Sequence, residues 1–182
     1  MSISNVITRI KVKKWIKDGL SVGENVKIER GVSIDPSFPW LVTIGNDVTI
    51  APDCLILCHD GSMKNFVGNS RIGKVTIGDK VFIGAKSIIL PNVTIGSNVV
   101  IGSGSVVTKS IEDGVVVAGS PAKTICTIKE FIAKNQVAME QNVVFGEEYT
   151  HRGNVTQNRK DEMIEKLSKS FGYIERKRDN DE

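Results

Sequence analysis

Of the chain's two histidines, His59 stands where a regular sequence pattern stops, and His151 lies in the polar stretch Tyr149-Thr150-His151-Arg152-Gly153-Asn154. An imidazole suits proton transfer at neutral pH, because its unperturbed pKa lies near 6.5. His59 is therefore a candidate general base for activating a hydroxyl, a form of assistance typically worth about 10²–10⁴-fold in rate. The plainer reading of such a residue is a corner histidine satisfied by a backbone carbonyl. Asp60 follows directly. A carboxylate can orient an imidazole through its second ring nitrogen, but Asp60-Gly61-Ser62 also reads as a turn. Two histidines are too few for a three-histidine zinc site, and Cys54, Cys58 and Cys126 have no metal-like spacing with them. His151 reads as a surface histidine.

The pattern that stops at His59 has a six-residue beat. Ile77, Ile83, Ile89, Ile95, Ile101 and Val107 follow one another at that interval. Glycine comes straight after four of them, in Ile77-Gly78, Ile83-Gly84, Ile95-Gly96 and Ile101-Gly102. In a helix of 3.6 residues per turn a six-residue step scatters side chains around the axis. A single straight strand would not be punctuated by glycine at a fixed offset. Val75, Val81, Ser87, Val93, Val99 and Ser105 stand two residues earlier, on the same strand face. Each unit is thus a very short strand followed by a glycine-containing corner, and such units stack into a β-helix. The beat extends upstream through Val22, Ile28, Ile34, Ile44, Ile50 and Ile56. One interruption, around Pro36-Ser37-Phe38-Pro39-Trp40-Leu41, is four residues too long for the frame; the other runs from about Asp60 to Lys74. Solenoids carry insertions as external loops, where function concentrates.

The 182 residues divide into three segments by pattern. Residues 1–19 suggest an amphipathic helix, with Val6, Ile7, Ile10 and Trp15 against Lys11, Lys13, Lys14 and Lys17. That basic face could touch anionic lipid, or be solvated on a helix packed at the end of the solenoid. Residues 20–127 hold the hexads, an external loop at 60–74 and a closing stretch from Gly114 to Ile125. Residues 128–182 become helical in character, first over Ile128–Lys134 and again from Asp161 to Phe171, with a charged and frayed tail, Glu175–Glu182. A net charge of +3 does not argue for nucleic acid. No apolar run approaches the roughly 20 residues that span a membrane, and Met1-Ser2-Ile3-Ser4-Asn5 lacks the marks of a secretory signal. Three cysteines, an odd number, read as reduced thiols in a cytoplasmic protein.

Residues 20–127 resemble the hexapeptide-repeat acyltransferases, and most of all the O-acetyltransferases of bacterial surface-polysaccharide synthesis and their galactoside and maltose acetyltransferase relatives. The segments that carry the resemblance are Val42-Thr43-Ile44-Gly45-Asn46-Asp47-Val48-Thr49-Ile50-Ala51-Pro52, His59-Asp60-Gly61-Ser62, the hexads from Val75, and Val117-Ala118-Gly119-Ser120-Pro121-Ala122-Lys123. The resemblance implies an all-β chain built on a left-handed parallel β-helix, with short helical extensions at both ends. Three hexads form each coil, so Ile77 is expected beneath Ile95 and Ile83 beneath Ile101. It further implies a homotrimer with active sites between subunits, and acetyl-CoA as co-substrate with no metal.

By the same resemblance His59 matches the catalytic base of an acetyl transfer. Ala85 matches a corner residue that serves the oxyanion and contacts coenzyme A; alanine stands where relatives carry serine, so only its N–H can act. Ser103, Thr108 and Lys109 match positions along the coenzyme groove, and Lys123 matches a basic residue near the phosphates. Taken without the motif, either lysine reads as an ordinary solvated side chain. The interruptions at Asp35–Leu41 and Asp60–Lys74 are the expected walls of the acceptor pocket. There Trp40 or Phe66 could stack on a sugar and Asp35 could bond its hydroxyls, though each is also an ordinary packing or turn residue. The expected reaction is acetyl-CoA-dependent O-acetylation of a saccharide or nucleotide-sugar. N-acetylation of a nucleotide-linked amino sugar and a non-catalytic β-helix scaffold stay open as alternatives. A γ-class carbonic anhydrase does not fit, for want of histidine ligands.

Overall fold

Stacked aliphatic strands, two to five residues long, build the solenoid. The computed structural model describes residues 3–175, which leaves all but the first residue of the charged tail outside. The chain divides into two compact units, Met1–Lys129 and Glu130–Glu182. The first opens with helix α1 (Ile3–Lys17). Trp15 is its buried anchor, joined to the core alongside Leu20, with Val12 packed against that cluster. Ile10 was expected on the same face but is 63% exposed. Five residues from Trp15, it falls about 140° around the helix from it. The side chains of Val6 and Ile7 lie outside the described residues.

Beyond α1, consecutive strands visit three faces in turn, and each pairs in parallel with the strand one coil away. Val22, Ile44, Ile77 and Ile95 stack on the first face. The second carries Ile28, Ile50, Ile83, Ile101 and Val117, and the third Ile34, Ile56, Ile89 and Val107. This is a parallel β-helix, with Ile77 paired to Ile95 and Ile83 to Ile101 as the resemblance implied. Ile77, Ile83, Ile89, Ile95, Ile101 and Val107 are each at most 1% exposed. Full burial of such a side chain contributes about 1.5–3 kcal/mol. Ser87 and Ser105 share this interior, and their hydroxyls are satisfied by the carbonyls of Gly84 and Gly102.

The corners separate two physical demands that sequence pattern merges. The residue three places after the aliphatic takes the left-handed conformation: Asn25, Asp47, Asp53, Lys80, Lys86, Asn92 and Asn98 all have φ between 54° and 64°. The glycine directly after the aliphatic does not. It is there for closeness of stacked backbones, since a Cβ on Gly78 would lie 2.8 Å from the carbonyl carbon of Gly96. Gly78→Ala is therefore expected to cost about 1–3 kcal/mol through overpacking. Gly104, with φ 71° and open space around it, should accept asparagine at little cost. Thermal melting of the two variants checks the contrast; equal losses would remove the distinction.

Both interruptions leave the coil at one place, after the third face. Pro36–Leu41 intervenes between Ile34 and Val42 and contains a single 3-10 turn, Pro39–Leu41. The longer loop begins after Ile56 and returns at Val75. Its neck is an antiparallel pair, His59 opposite Ile72 and Asp60 opposite Arg71. Its tip carries the short helix α2 (Lys64–Val67), closed by Gly68 at φ 78°. The solenoid ends in a hairpin, Val115–Ala118 against Lys123–Thr127.

The second unit takes in most of helix α3 (Ile128–Gln141) and all of helix α4 (Gln157–Lys166). It also contains a parallel strand pair absent from the sequence expectation, Val144–Phe145 with Tyr173–Ile174. The α4 expectation, Asp161 to Phe171, shifts toward the N-terminus. Thr156 caps the start by accepting from the Arg159 N–H, and the helix closes at Lys166 before Ser168-Lys169-Ser170, residues that favour turns.

Candidate active site

His59 occupies the slot three residues after Ile56, the slot that elsewhere turns the corner in the left-handed conformation. His59 is not among the positive-φ residues; it is extended as the first residue of the loop neck. The residues that hold this slot in the left-handed conformation are all exposed, whereas the His59 ring, carried onto the loop neck, is half-buried at 40% exposure. Its Nδ1 lies 2.6 Å from Oδ2 of Asp35. Asp35 is 1% exposed and follows Ile34, whose strand pairs with the one ending at Ile56. The same Oδ2 accepts the N–H groups of Cys58 at 2.8 Å and His59 at 3.1 Å, while Oδ1 accepts that of Ser37 at 3.0 Å. Burial pushes the Asp35 carboxyl up, but these donors and the imidazole outweigh it and hold it below the usual carboxylate range. A carboxylate at Nδ1 fixes the proton there in the neutral ring, leaving the Nε2 lone pair free.

Two readings that the sequence left open are decided by this geometry. Asp60, the sequence neighbour considered for orienting the ring, accepts from the Ser62 N–H at 2.9 Å and stands 3.6 Å from Arg71. Adjacent residues on a strand point to opposite sides, so the orienting carboxylate comes from the coil below. Asp35, considered for bonding sugar hydroxyls, is buried and already engaged. Sequence offered one unused signal: a charged residue follows Ile34 where Leu57 and Leu90 follow the equivalent isoleucines.

Phe38, also unremarked in the sequence, packs edge-on against His59 at 5.5 Å between centroids, and against Trp40 at 5.7 Å. Trp40 is 58% exposed and Phe66 86% exposed. Among the described residues no other ring is recorded against Phe66. Beneath the site, burial pushes the Cys58 thiol up to about 11, helped by the charge of Asp35. A thiol so protonated is no competing nucleophile. His151 is exposed, as a surface histidine would be, and Cys54, Cys58 and Cys126 are unpaired thiols. Among the described residues no group of three or more His, Cys, Asp or Glu could hold a metal.

Residues 74–109 match the family described as bacterial transferase hexapeptide (six repeats). The chain is 43% identical over 126 residues to protein CapG of Staphylococcus aureus, spanning 65% of this chain and 72% of that protein. Over 139 residues it is 34% identical to galactoside O-acetyltransferase of Escherichia coli, spanning 70% and 68%. The chain belongs to the hexapeptide-repeat transferases. A family structure, the hexapeptide-repeat acetyltransferase of Vibrio cholerae complexed with acetyl coenzyme A, matches with a TM-score of 0.55 at 25% identity, over 60% of each chain. Like the Escherichia coli and Vibrio cholerae acetyltransferases, the protein is an acyltransferase.

Within the hexapeptide-repeat frame, the other anticipated positions fall into separate columns. Ala85 and Ser103 lie at the corner between the second and third faces, stacked so that the Gly104 N–H donates to the Ala85 carbonyl at 2.8 Å. Thr108 and Lys109 lie at the corner after the third face, the column that also contains His59, but one coil beyond Leu90. Both are exposed. Lys123 is exposed at the start of the closing hairpin, opposite Ala118. The single chain therefore joins His59 to Asp35 and Phe38, and leaves Ala85 and Ser103 on a different edge of the prism.

Proposed function

We propose that the protein transfers the acetyl group of acetyl coenzyme A to a saccharide hydroxyl, with His59 as general base. The 2.6 Å contact between Asp35 and His59 carries the reading, because a buried carboxylate that fixes the imidazole tautomer serves proton transfer. Residues 20–127 are the catalytic solenoid, wound left-handed as in the family, and residues 1–19 and 128–182 are its extensions. The Nε2 atom takes the hydroxyl proton as that oxygen attacks the thioester carbonyl. The Ala85 N–H donates to the resulting oxyanion. The carbon–sulfur bond then breaks, and the imidazolium returns the proton to the departing coenzyme A thiolate.

Gly102, Ser103 and Gly104 form an edge with no large side chain, and a Cβ at Gly104 would meet nothing within 4 Å. That suits the pantetheine arm, with Thr108 and Lys109 further along and Lys123 at the phosphates. Because His59 and this edge belong to different corners, the complete site is assigned between subunits of a homotrimer. The outer side chains support such packing. Thr43, Thr76 and Thr94 line the first face, whereas Leu55, Ile88 and Val106 line the third, and Phe82 on the second is 44% exposed. The saccharide acceptor is supported by the name of the galactoside-specific relative. Surface-polysaccharide synthesis is supported by the sequence resemblance, and a cytoplasmic location by the three unpaired thiols. No helix among the described residues is long and apolar enough to cross a membrane.

Release of free thiol from acetyl coenzyme A, screened over sugars, amino sugars and nucleotide-sugars, tests the reading. Acceptor-dependent thiol with a hydroxyl acceptor is expected. Release only with amino acceptors would move the reaction to N-acetylation, and none with any of them would overturn the saccharide acceptor. Lys123→Ala should weaken acetyl coenzyme A binding about tenfold by removing a charged hydrogen bond, with dephospho-pantetheine analogues less affected. Equal losses for both ligands, measured by titration calorimetry, would make the lysine structural.

A further inference from the structure

We infer that Trp40 is a second acceptor subsite, a platform that selects saccharides longer than one ring; this rests on the saccharide acetyl transfer proposed above. The four residues that overfill the coil at Pro36–Leu41 have no role in closing it, since the third and first faces connect elsewhere with fewer residues. They build a bracket. The Ser37 N–H is tied to Asp35, the carboxylate partner of His59. Phe38 packs its base on the core and its edge on the imidazole. Pro39 is buried at the start of the 3-10 turn, and the Val42 N–H closes that turn on the Pro39 carbonyl.

Trp40 is the product of this bracket. Its ring is held T-shaped by Phe38 at an interplanar angle of 79°, yet the residue stays 58% exposed. From behind, its Cβ is met by Gly19, where an added Cβ would lie only 2.8 Å away and where φ is +105°. Glycine there both turns the chain after α1 and leaves room for the tryptophan. An indole kept exposed, with its stem seated against Gly19 and its ring against Phe38, presents an apolar face, the surface against which the C–H face of a pyranose packs. Two ring-to-ring steps, of 5.7 and 5.5 Å, join it to the imidazole. A sugar hydroxyl at Nε2 therefore leaves the Trp40 face to a neighbouring ring of the same acceptor. Phe66, more exposed still, lacks any such support.

The test uses the full chain with acetyl coenzyme A and a fixed panel: glucose, galactose, N-acetylglucosamine, lactose and maltose. The wild type should turn over a disaccharide with higher kcat/KM than the monosaccharides. Trp40→Ala should raise KM for that disaccharide roughly tenfold, leaving kcat, the monosaccharide constants and the acetyl coenzyme A KM within twofold. Trp40→Phe should recover most of the loss. Since Trp15 and Trp40 are the two tryptophans, a Trp15→Phe protein reports on Trp40 alone. Its emission should shift to the blue on saturation with the disaccharide. An unchanged disaccharide KM in Trp40→Ala, equal losses with monosaccharides, or a wild type indifferent to chain length would overturn the subsite while leaving acetyl transfer intact. Thiol release with no sugar of the panel would overturn the saccharide reading, and the subsite with it.

Discussion

His59→Ala is expected to lower kcat by about 10²–10⁴-fold, the span of a lost general base, while the fold and the affinity for acetyl coenzyme A stay unchanged. The ring makes no core contact that the solenoid needs. It is 40% exposed, and the hydrogen bonds that tie Asp35 into the coil come also from the main-chain N–H groups of Cys58, His59 and Ser37. A loss in kcat with acetyl coenzyme A binding intact separates a missing base from a collapsed site. The wild-type rate should also fall toward acid pH, because a protonated ring has no lone pair to offer at Nε2. Turnover across pH for both proteins is the measurement. Near-normal turnover in the variant would remove His59 as the base.

Asp35→Asn is expected to lower kcat by about 10²-fold or more, since a neutral amide no longer fixes the proton on Nδ1 or stabilises the imidazolium. It carries a second signature, in stability, that His59→Ala shares only in part, because the main-chain donors to Asp35 remain there. The Asp35 carboxyl sits below the usual range in the folded protein, so the stability it contributes is present above its unfolded pKa. That contribution is lost as pH falls through the lower, folded value. Replacing Asp35 should therefore flatten the acid side of the stability curve. It should also cost about 1–3 kcal/mol at neutral pH, because an amide nitrogen facing buried N–H donors leaves them unsatisfied. Denaturant midpoints measured from neutral to acid pH check this. An unaltered acid slope together with unaltered kcat would assign the carboxylate no part in positioning the ring. Asp60→Asn, by contrast, should change kcat little, since its carboxylate serves Ser62 and Arg71 at the loop neck.

The fold was legible because burial in a solenoid is periodic. One register repeated from Val22 to Val107 turned the marked isoleucines inward, fully buried from Ile34 onward, and the interruptions stood out as breaks in count. The reason for the corner glycines was less legible. The same letter can answer a positive φ or a close backbone approach, and Gly104 and Gly78 divide on that point. The partner of His59 stayed hidden because the sequence neighbour was the carboxylate in view, whereas the contact is made across coils. Asp35 and His59 are 24 positions apart, and their meeting follows from Ile34 pairing with Ile56. That pairing was implicit in the hexad count once the four-residue excess had been set aside. Phe38 stayed hidden because an aromatic residue inside an irregular insertion has no periodicity to locate it. The second unit lacks repeats altogether, so its Val144–Phe145 and Tyr173–Ile174 pairing had no pattern to betray it.

Both departures from the coil occur at one edge, after the third face, and this divides the molecule into a part bound to a fixed count and a part free of it. Adding or removing one hexad within the ladder would send every later strand to the wrong face, so the core can change length only by whole turns of the prism. Along the one open edge the chain can be lengthened or rewritten without moving a single interior isoleucine. Loop closure there costs only a slowly growing entropy. The loops meet the ladder only at their roots, where Ser37 and Phe38 of one and His59 of the other touch the Asp35–His59 pair. The two loops can thus be edited without disturbing the count on which the ladder depends.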